Sequence, residues 1–186
     1  MTRIARRLHH SYEDYLNALE VSQIKLEYCD GEIYAMAGGT PTHADLAASM
    51  IRILGNALLG RCRVSSSDLK IRIESTDLST FPDVSVVCGQ RAVSSIDKNA
   101  VINPTLLVEV LSPSTEDYDR GEKLNHYKEC DSLQAVLLVA YQRREVTVIT
   151  RSAGGWTTRC VEGGQELHLA QPELRISLDE LYDGIL

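Results

Sequence analysis

The chain of 186 residues is long enough for one domain with a full hydrophobic core and is short for two. A hydrophobic fraction of 44% and a charged fraction of 24% are typical of a soluble globular protein and exclude a disordered chain. The net charge of -7 excludes a protein that coats nucleic acid non-specifically, because phosphate contacts need clustered Lys and Arg.

Short basic clusters could still form a local basic face, although each alone is more simply explained as solvated surface charge. They are Arg3, Arg6 and Arg7, then Arg61 and Arg63, then Arg143 and Arg144. The basic start MTRIARRLHH is not followed by an apolar run of about seven residues, so it does not resemble a secretory signal. No run approaches the roughly eighteen apolar residues of a membrane span, so we expect no membrane partner.

The five cysteines are odd in number and contain no C-x-x-C pair. They are Cys29, Cys62, Cys88, Cys130 and Cys160. This pattern predicts reduced thiols in a cytoplasmic protein and argues against a metal site built from thiols.

The first third of the chain predicts a helix, a hairpin and a second helix. SYEDYLNAL is typical of a short helix, and IKLEYCDGEIYAMAG alternates apolar residues around Asp30-Gly31, a preferred pair for a two-residue hairpin turn. GGTPTHADLAASMIRILGNALLG then repeats apolar side chains at helical spacing. Thr40 with Pro41, or Thr42 with Asp45, could cap this helix, and the sequence does not choose between them.

The remaining segments predict a sheet that is covered by helices. RVSSSDLKIRIE reads as a strand with one solvated face, FPDVSVVC as a second strand, and 89–104 as a long loop. TLLVEVL is apolar on both faces apart from Glu109, which is typical of a central strand covered on each side. YDRGEKLNHYKEC predicts a helix, QAVLLVA, EVTVITR and GWTTRCVE predict strands, and ISLDELYDGI predicts a final helical turn. We therefore expect a single α/β domain over residues 1–186.

Glu109 is the one carboxylate in its apolar run, and a buried carboxylate is strongly unfavourable unless it is paired, hydrogen-bonded, neutralised or bound to a metal. Asp83 begins the preceding strand, and the two carboxylates come close together if the strands are neighbours. Either one of them is then protonated or both bind a cation. Mg²⁺ suits such a pair, because it accepts one or two carboxylates and leaves positions for water and phosphate. Taken alone, each acid has an equally good structural explanation without a metal. Asp83 could cap a turn at the end of a strand, and Glu109 could pair with an arginine.

Pro82-Asp83, a spacer and an acid in a buried strand resemble the PD-(D/E)xK phosphodiesterases. In that fold the two acids hold Mg²⁺, and a lysine two residues after the second acid assists the attacking water. The corresponding residue here is Leu111. VEVLSPST followed by DRGEKLNHYKE resembles the Uma family (Uma-two) of endonucleases, in which the lysine has moved to the following helix, at Lys123. Taken alone, Lys123 reads as a surface lysine paired with Asp119.

The resemblance covers nearly the whole chain and implies a restriction-endonuclease-like core, with a mixed central sheet flanked by helices and an N-terminal hairpin. It implies a Mg²⁺-dependent DNA endonuclease, for which Mn²⁺ can substitute. Its catalytic residues would be Asp83, Glu109 and Lys123, and the backbone carbonyl of Val110 would complete the metal ligands.

Three further positions receive less weight from the resemblance. His43 and Glu27 are expected near the site, although a lone His is more often a core or cap residue and Glu27 could be an exposed hairpin residue. Tyr127 could orient Lys123 or only pack.

A homodimer is expected because many nucleases of this fold use two copies. The alternative function is a catalytically inactive nuclease-fold protein that acts as a nucleic-acid-binding or assembly module, which the acidic net charge and displaced lysine favour.

Overall fold

The computed structural model describes residues 9–36 and 38–186, so Arg3, Arg6 and Arg7 lie outside the described residues. The helices are α1 (Tyr12–Val21), α2 (Pro41–Ala57), α3 (Glu116–Arg120), α4 (Glu122–Lys128) and α5 (Leu178–Tyr182). The first strands are β1 (Leu26–Cys29), β2 (Glu32–Ala35), β3 (Cys62–Ser66), β4 (Lys70–Ile73), β5 (Leu78–Thr80), β6 (Val84–Cys88) and β7 (Ala100–Val101). The later strands are β8 (Leu106–Val110), β9 (Ala135–Val139), β10 (Glu145–Ser152), β11 (Gly155–Glu162), β12 (Glu166–Ala170) and β13 (Glu173–Ser177).

The strands form one large mixed sheet, a second sheet and a hairpin. The large sheet has the order β11-β10-β9-β8-β6-β3, and the second sheet has the order β2-β1-β5-β4-β7. β8 and β9 are parallel, whereas β6 is antiparallel to β8. The predicted mixed central sheet, its flanking helices and the hairpin β1–β2 are confirmed.

Helix α2 covers one face of the large sheet. Thr40 caps it by accepting a hydrogen bond from the His43 backbone N–H, with Pro41 as the first helical residue. This resolves the choice that the sequence left open. The buried Leu46, Met50 and Leu54 of α2 join a core with inward side chains of the sheet, α5 and the hairpin β12–β13.

The opposite face of the large sheet packs against α4 and the second sheet. Leu107 and Leu111 project to this side and join Leu124 and Tyr127 of α4 in a second core. All residues of β8 are buried, which confirms the prediction of a central strand. Because side chains alternate along a strand, Glu109 projects to the same side as Leu107 and Leu111.

Two predictions about the strands are wrong. RVSSSDLKIRIE forms β3 and β4, which belong to different sheets, and β4 is buried on both faces. Lys70 and Arg72 look like solvated positions in the sequence, but Asp97 pairs with Lys70 and Asp77 pairs with Arg72. The segment predicted as a loop over 89–104 contains the short β7, which pairs in parallel with β4.

The prediction of five reduced thiols is also wrong. Register sets Cys62 of β3 directly opposite Cys88 of β6, and a disulfide joins them with their Cα atoms 4.1 Å apart. The two cysteines are 26 residues apart in sequence, so no short motif could reveal the pair. Cys29, Cys130 and Cys160 are free thiols. Within residues 9–36 and 38–186, no helix is long and apolar enough to cross a membrane.

Candidate active site

A cavity of about 530 Å³ opens at the end of β8, between the hairpin β1–β2, the start of α2 and helices α3 and α4. The cavity wall includes acidic side chains from five elements or their flanking residues. They are Glu27, Asp83, Glu109, Asp119 and Glu122. The same wall contains the cationic Lys123 and His43. The fold therefore collects negative charge in a concave site, where a cationic ligand would be favoured.

Asp83 lies immediately before β6 and is fixed from two sides. Its Oδ2 atom accepts a hydrogen bond of 2.7 Å from the Val110 backbone N–H at the end of β8. The same oxygen is 3.2 Å from Nε2 of His43, which α2 supplies from its first turn. Val84 pairs with Val108 in an antiparallel register. Asp83 precedes Val84 and Glu109 follows Val108, so the two acids are neighbours across the two strands. The predicted neighbourhood of the two acidic strands is confirmed.

Glu109 is buried at the cavity wall and has two partners from α4. Its Oε1 atom lies 2.9 Å from the ammonium of Lys123, and it accepts a hydrogen bond from the Tyr127 hydroxyl. Lys123 and Tyr127 are four residues apart, so they lie on one side of the helix. Leu111, where the PD-(D/E)xK motif has its lysine, is buried in the second core instead. The ammonium of Lys123 thus reaches Glu109 from the helix.

Lys123 is 5% exposed and meets a further carboxylate on each side. Its Nζ atom is 3.6 Å from Asp119 and 3.7 Å from Glu27. Glu27 is buried rather than an exposed hairpin residue, and it also accepts hydrogen bonds from Thr80 and from the Phe81 backbone. Asp119 is a site residue that sequence reasoning treated only as a surface partner of Lys123. Its i,i+4 spacing from Lys123 was the available signal, but spacing does not report burial.

The electrostatics of the site reflect this crowding of acids. Burial raises the pKa of Glu109 to about 8, the charges of Asp83 and Asp119 add to the rise, and Lys123 and Tyr127 oppose it. Burial lowers the pKa of Lys123, but the charge of Glu109, followed by the coupling to the Tyr127 hydroxyl and the charges of Glu27 and Asp119, leaves it well above its ordinary value. Both shifts keep protons in the site. Without a bound cation, Lys123 is therefore expected as the ammonium, and Glu109 takes up a proton more readily than an ordinary carboxyl does.

His43 shows the same tendency at the mouth of the site. The hydrogen bond to Asp83 raises its pKa, burial opposes the rise, and the charges of Asp83 and Glu109 with a backbone hydrogen bond at Val110 add to it. The structure thus brings together every residue that the sequence singled out, namely Glu27, His43, Asp83, Glu109, Val110, Lys123 and Tyr127. Asp68, in contrast, lies on the surface and pairs with Lys25.

Comparison with known proteins identifies the family of the chain. Residues 12–179 match the Uma2 family, which is described as "Putative restriction endonuclease". The chain is 38% identical over 177 residues to "Uncharacterized protein slr1290" of Synechocystis sp., with 94% of this chain and 92% of the relative covered. It is 31% identical over 127 residues to "Uncharacterized protein sll1609" of the same organism, with 68% and 72% covered.

A solved structure shares the fold. It is described as "a putative nuclease belonging to DUF820 from Anabaena variabilis", and it superposes with a TM-score of 0.76 over 94% of this chain and 98% of that chain. At 20% sequence identity this likeness concerns the fold alone. The match over 12–179 and the identity to the first Synechocystis relative together establish that the chain belongs to the Uma2 family, with a restriction-endonuclease-like fold.

Proposed function

We propose that the protein is a Mg²⁺-dependent phosphodiesterase that cleaves DNA as an endonuclease. One observation carries the proposal: an excess of buried carboxylates surrounds a single buried ammonium on the wall of an open cavity. Membership of the Uma2 family supports nuclease chemistry at this site. The homodimer and the cytoplasmic location expected from the sequence stay predictions.

The donor atoms fit a hard divalent cation. Asp83 and Glu109 supply carboxylate oxygens from neighbouring strands, and Val110 is the last residue of β8, so its backbone oxygen is the proposed third ligand. Oxygen ligands of this kind suit Mg²⁺ and Mn²⁺. A cation there would offset the repulsion that raises the pKa of Glu109. When bound, Mg²⁺ would polarise the scissile phosphate and make an attacking water more acidic.

Lys123 is proposed to act as an ammonium that donates hydrogen bonds and not as a base. Its raised pKa keeps the proton on Nζ, so the side chain can orient a water molecule and offset negative charge that grows on the phosphate. Tyr127 positions Glu109 through its hydroxyl, and Glu27 and Asp119 hold the ammonium from its other sides. His43 holds Asp83, and the hydrogen bond between them raises the pKa of His43, which favours a charged imidazolium beside this proposed metal ligand.

Cleavage of supercoiled and single-stranded DNA by rigorously purified protein in Mg²⁺ or Mn²⁺ tests the proposal. We expect Asp83→Asn and Glu109→Gln each to lower the cleavage rate at least about a hundredfold, because the interactions lost stabilise charge in the transition state. Asp68→Asn is the matched control, since it removes an exposed carboxylate of the same chain and should cleave as the unchanged protein does.

Equal cleavage by Asp83→Asn, Glu109→Gln and Asp68→Asn would show that a contaminant or another site is responsible. If the unchanged protein binds DNA and Mn²⁺ but cleaves neither DNA form, the protein is instead a binding or assembly module that keeps the nuclease fold. The acidic net charge favours the assembly form of that alternative, because DNA binding itself requires phosphate contacts from clustered Lys and Arg.

A further inference from the structure

A second group of potential metal ligands involves Glu122 and His126 of α4, which lie one residue before Lys123 and Tyr127, respectively. Cys29 at the end of β1 approaches Glu122 and His126, which are four residues apart on the helix. One donor atom from each residue lies within 4.8 Å of the other two. Glu122 also belongs to the wall of the cavity, so this group is adjacent to the proposed Mg²⁺ ligands. The two sets of ligands have no residue in common.

The distances are close to those of a tetrahedral metal site. The Cys29 Sγ atom is 3.4 Å from Nε2 of His126. Bonds of about 2.3 Å from zinc to sulfur and about 2.0 Å to nitrogen place two tetrahedral donors about 3.5 Å apart. Oε1 of Glu122 lies 4.0 Å from the same Nε2 atom. The Glu122 side chain is 67% exposed, so it can close the small remaining gap by rotating.

The surrounding charges favour a cation over a simple thiol–imidazole hydrogen bond. Burial raises the pKa of the Cys29 thiol to about 11, and the charges of Glu122, Asp30, Asp77 and Glu32 add to the rise. Negative charge therefore converges on a sulfur atom that would be a strong soft ligand if a metal displaced its proton. Nδ1 of His126 is buried without a hydrogen-bond partner among residues 9–36 and 38–186, so the ring's described polar contacts all run through Nε2, towards Cys29 and Glu122.

We propose that Cys29, Glu122 and His126 bind one Zn²⁺ ion, with a water molecule in the fourth position. Binding forms the zinc–sulfur bond and releases the thiol proton to solvent. The sequence argued against a thiol metal site because it shows no C-x-x-C pair, but the ligands come from a strand and a helix that meet only in the fold. The ion joins the hairpin β1–β2 to α4, the helix that also carries Lys123.

The test is titration of metal-free protein with Co²⁺ under argon, without a reductant so that the Cys62–Cys88 disulfide stays intact. We expect one equivalent of Co²⁺ to produce a thiolate-to-cobalt charge-transfer absorption, and Zn²⁺ to remove that absorption by displacing the Co²⁺. Cys29→Ser should abolish that absorption. Glu122→Gln should keep the fold, since the side chain is largely exposed, and should weaken binding by about tenfold or more, at least as much as loss of an outer-shell partner.

Matched controls come from an exposed cysteine and an exposed histidine elsewhere in the chain. Cys160→Ser and His168→Gln should bind Co²⁺ as the unchanged protein does. Asp83→Asn should also keep the absorption, which separates this site from the proposed Mg²⁺ site. The absence of a charge-transfer band in the folded unchanged protein, or its persistence in Cys29→Ser, overturns the proposal. If Glu122→Gln binds Co²⁺ with unchanged affinity, Glu122 is not a ligand and only Cys29 and His126 remain. That result also overturns the proposal.

Discussion

Lys70 and Lys123 are both buried lysines, each 5% exposed, and each is paired with a carboxylate from a distant part of the chain. Lys70 lies in the second sheet, 2.6 Å from Asp97. Asp97 also accepts a hydrogen bond of 2.8 Å from the Tyr12 hydroxyl. Arg72, two residues after Lys70, pairs with Asp77 at 2.5 Å. The two cations of this cluster are therefore balanced by two anions.

The cluster around Lys123 is not balanced in this way. Its single ammonium contacts Glu27, Glu109 and Asp119 within the described part of the chain. Burial raises the pKa of Asp97, but the hydrogen bonds from Lys70 and Tyr12 outweigh it and the net shift is downward. The pKa of Glu109 is raised instead, to about 8. The buried cluster with balanced charges thus stabilises the fold, whereas the buried cluster with an excess of acids lies on a cavity wall and is suited to bind a cation.

The largest effect expected from this comparison is on stability in the second sheet. Asp97→Asn removes the charge that compensates the buried Lys70 ammonium, and breaking such a pair costs about 3–5 kcal/mol of unfolding free energy. Urea unfolding measures that loss. Under conditions where the variant is folded, its DNA cleavage rate should equal that of the unchanged protein. A lost cleavage rate at full stability would mean that the balanced cluster also serves the reaction.

Lys123→Met should show the opposite pattern. We expect the cleavage rate to fall about a hundredfold, because a preorganised donor to the developing phosphate charge is lost. Metal affinity should stay the same or rise, since the ammonium competes for Glu109. Lys70→Met is the matched lysine variant, which should lose stability and keep its rate. Cleavage kinetics and Mn²⁺ titration of both variants give the comparison, and a Lys123→Met rate equal to the unchanged protein's would contradict it.

The most gradual effect is a pH dependence of stability in the metal-free protein, which is spread over several pH units. The pKa of Glu109 is about 8 in the native state and near its ordinary value of 4.5 when unfolded. Between these values the native state holds a proton that the unfolded state has lost, so the unfolding free energy falls as the pH rises through this window. Asp119 and His43, whose pKa values are also raised, add slopes of the same sign.

Glu109→Gln isolates the contribution of the one carboxyl. Urea unfolding between about pH 5 and pH 8 should give a smaller slope for this variant, and saturating Mg²⁺ should reduce the slope of the unchanged protein. Identical slopes with and without the substitution would mean that Glu109 is ionised across the window, as it would be if Lys123 balanced it alone.

The sequence predicted the site better than it predicted the second sheet. Glu109 was visible because one acid interrupted an apolar run, and the resemblance to the Uma family located Lys123. Lys70 and Arg72 were misread because alternation treats any charged residue as solvated, and their partners Asp97 and Asp77 lie outside the strand. The hairpin β12–β13 was not predicted, although Leu167, Leu169, Leu174 and Ile176 alternate within it.

Other features needed the fold itself. The disulfide between Cys62 and Cys88 and the approach of Cys29 to His126 both join segments that are distant in sequence. The choice of Thr40 over Thr42 as the cap of α2 also required the structure, because the spacing in the sequence suits both residues. Spacing therefore predicts elements, whereas charge balance between elements requires the three-dimensional structure.

Calorimetric titration with Mn²⁺ is the most direct test of the central claim, that excess charge around Lys123 marks a cation site. The account predicts that the unchanged protein binds Mn²⁺, that Glu109→Gln loses this binding, and that folded Asp97→Asn keeps it. Absence of binding by the unchanged protein, or equal binding by Glu109→Gln, would contradict the account and favour a nuclease-fold module without metal chemistry.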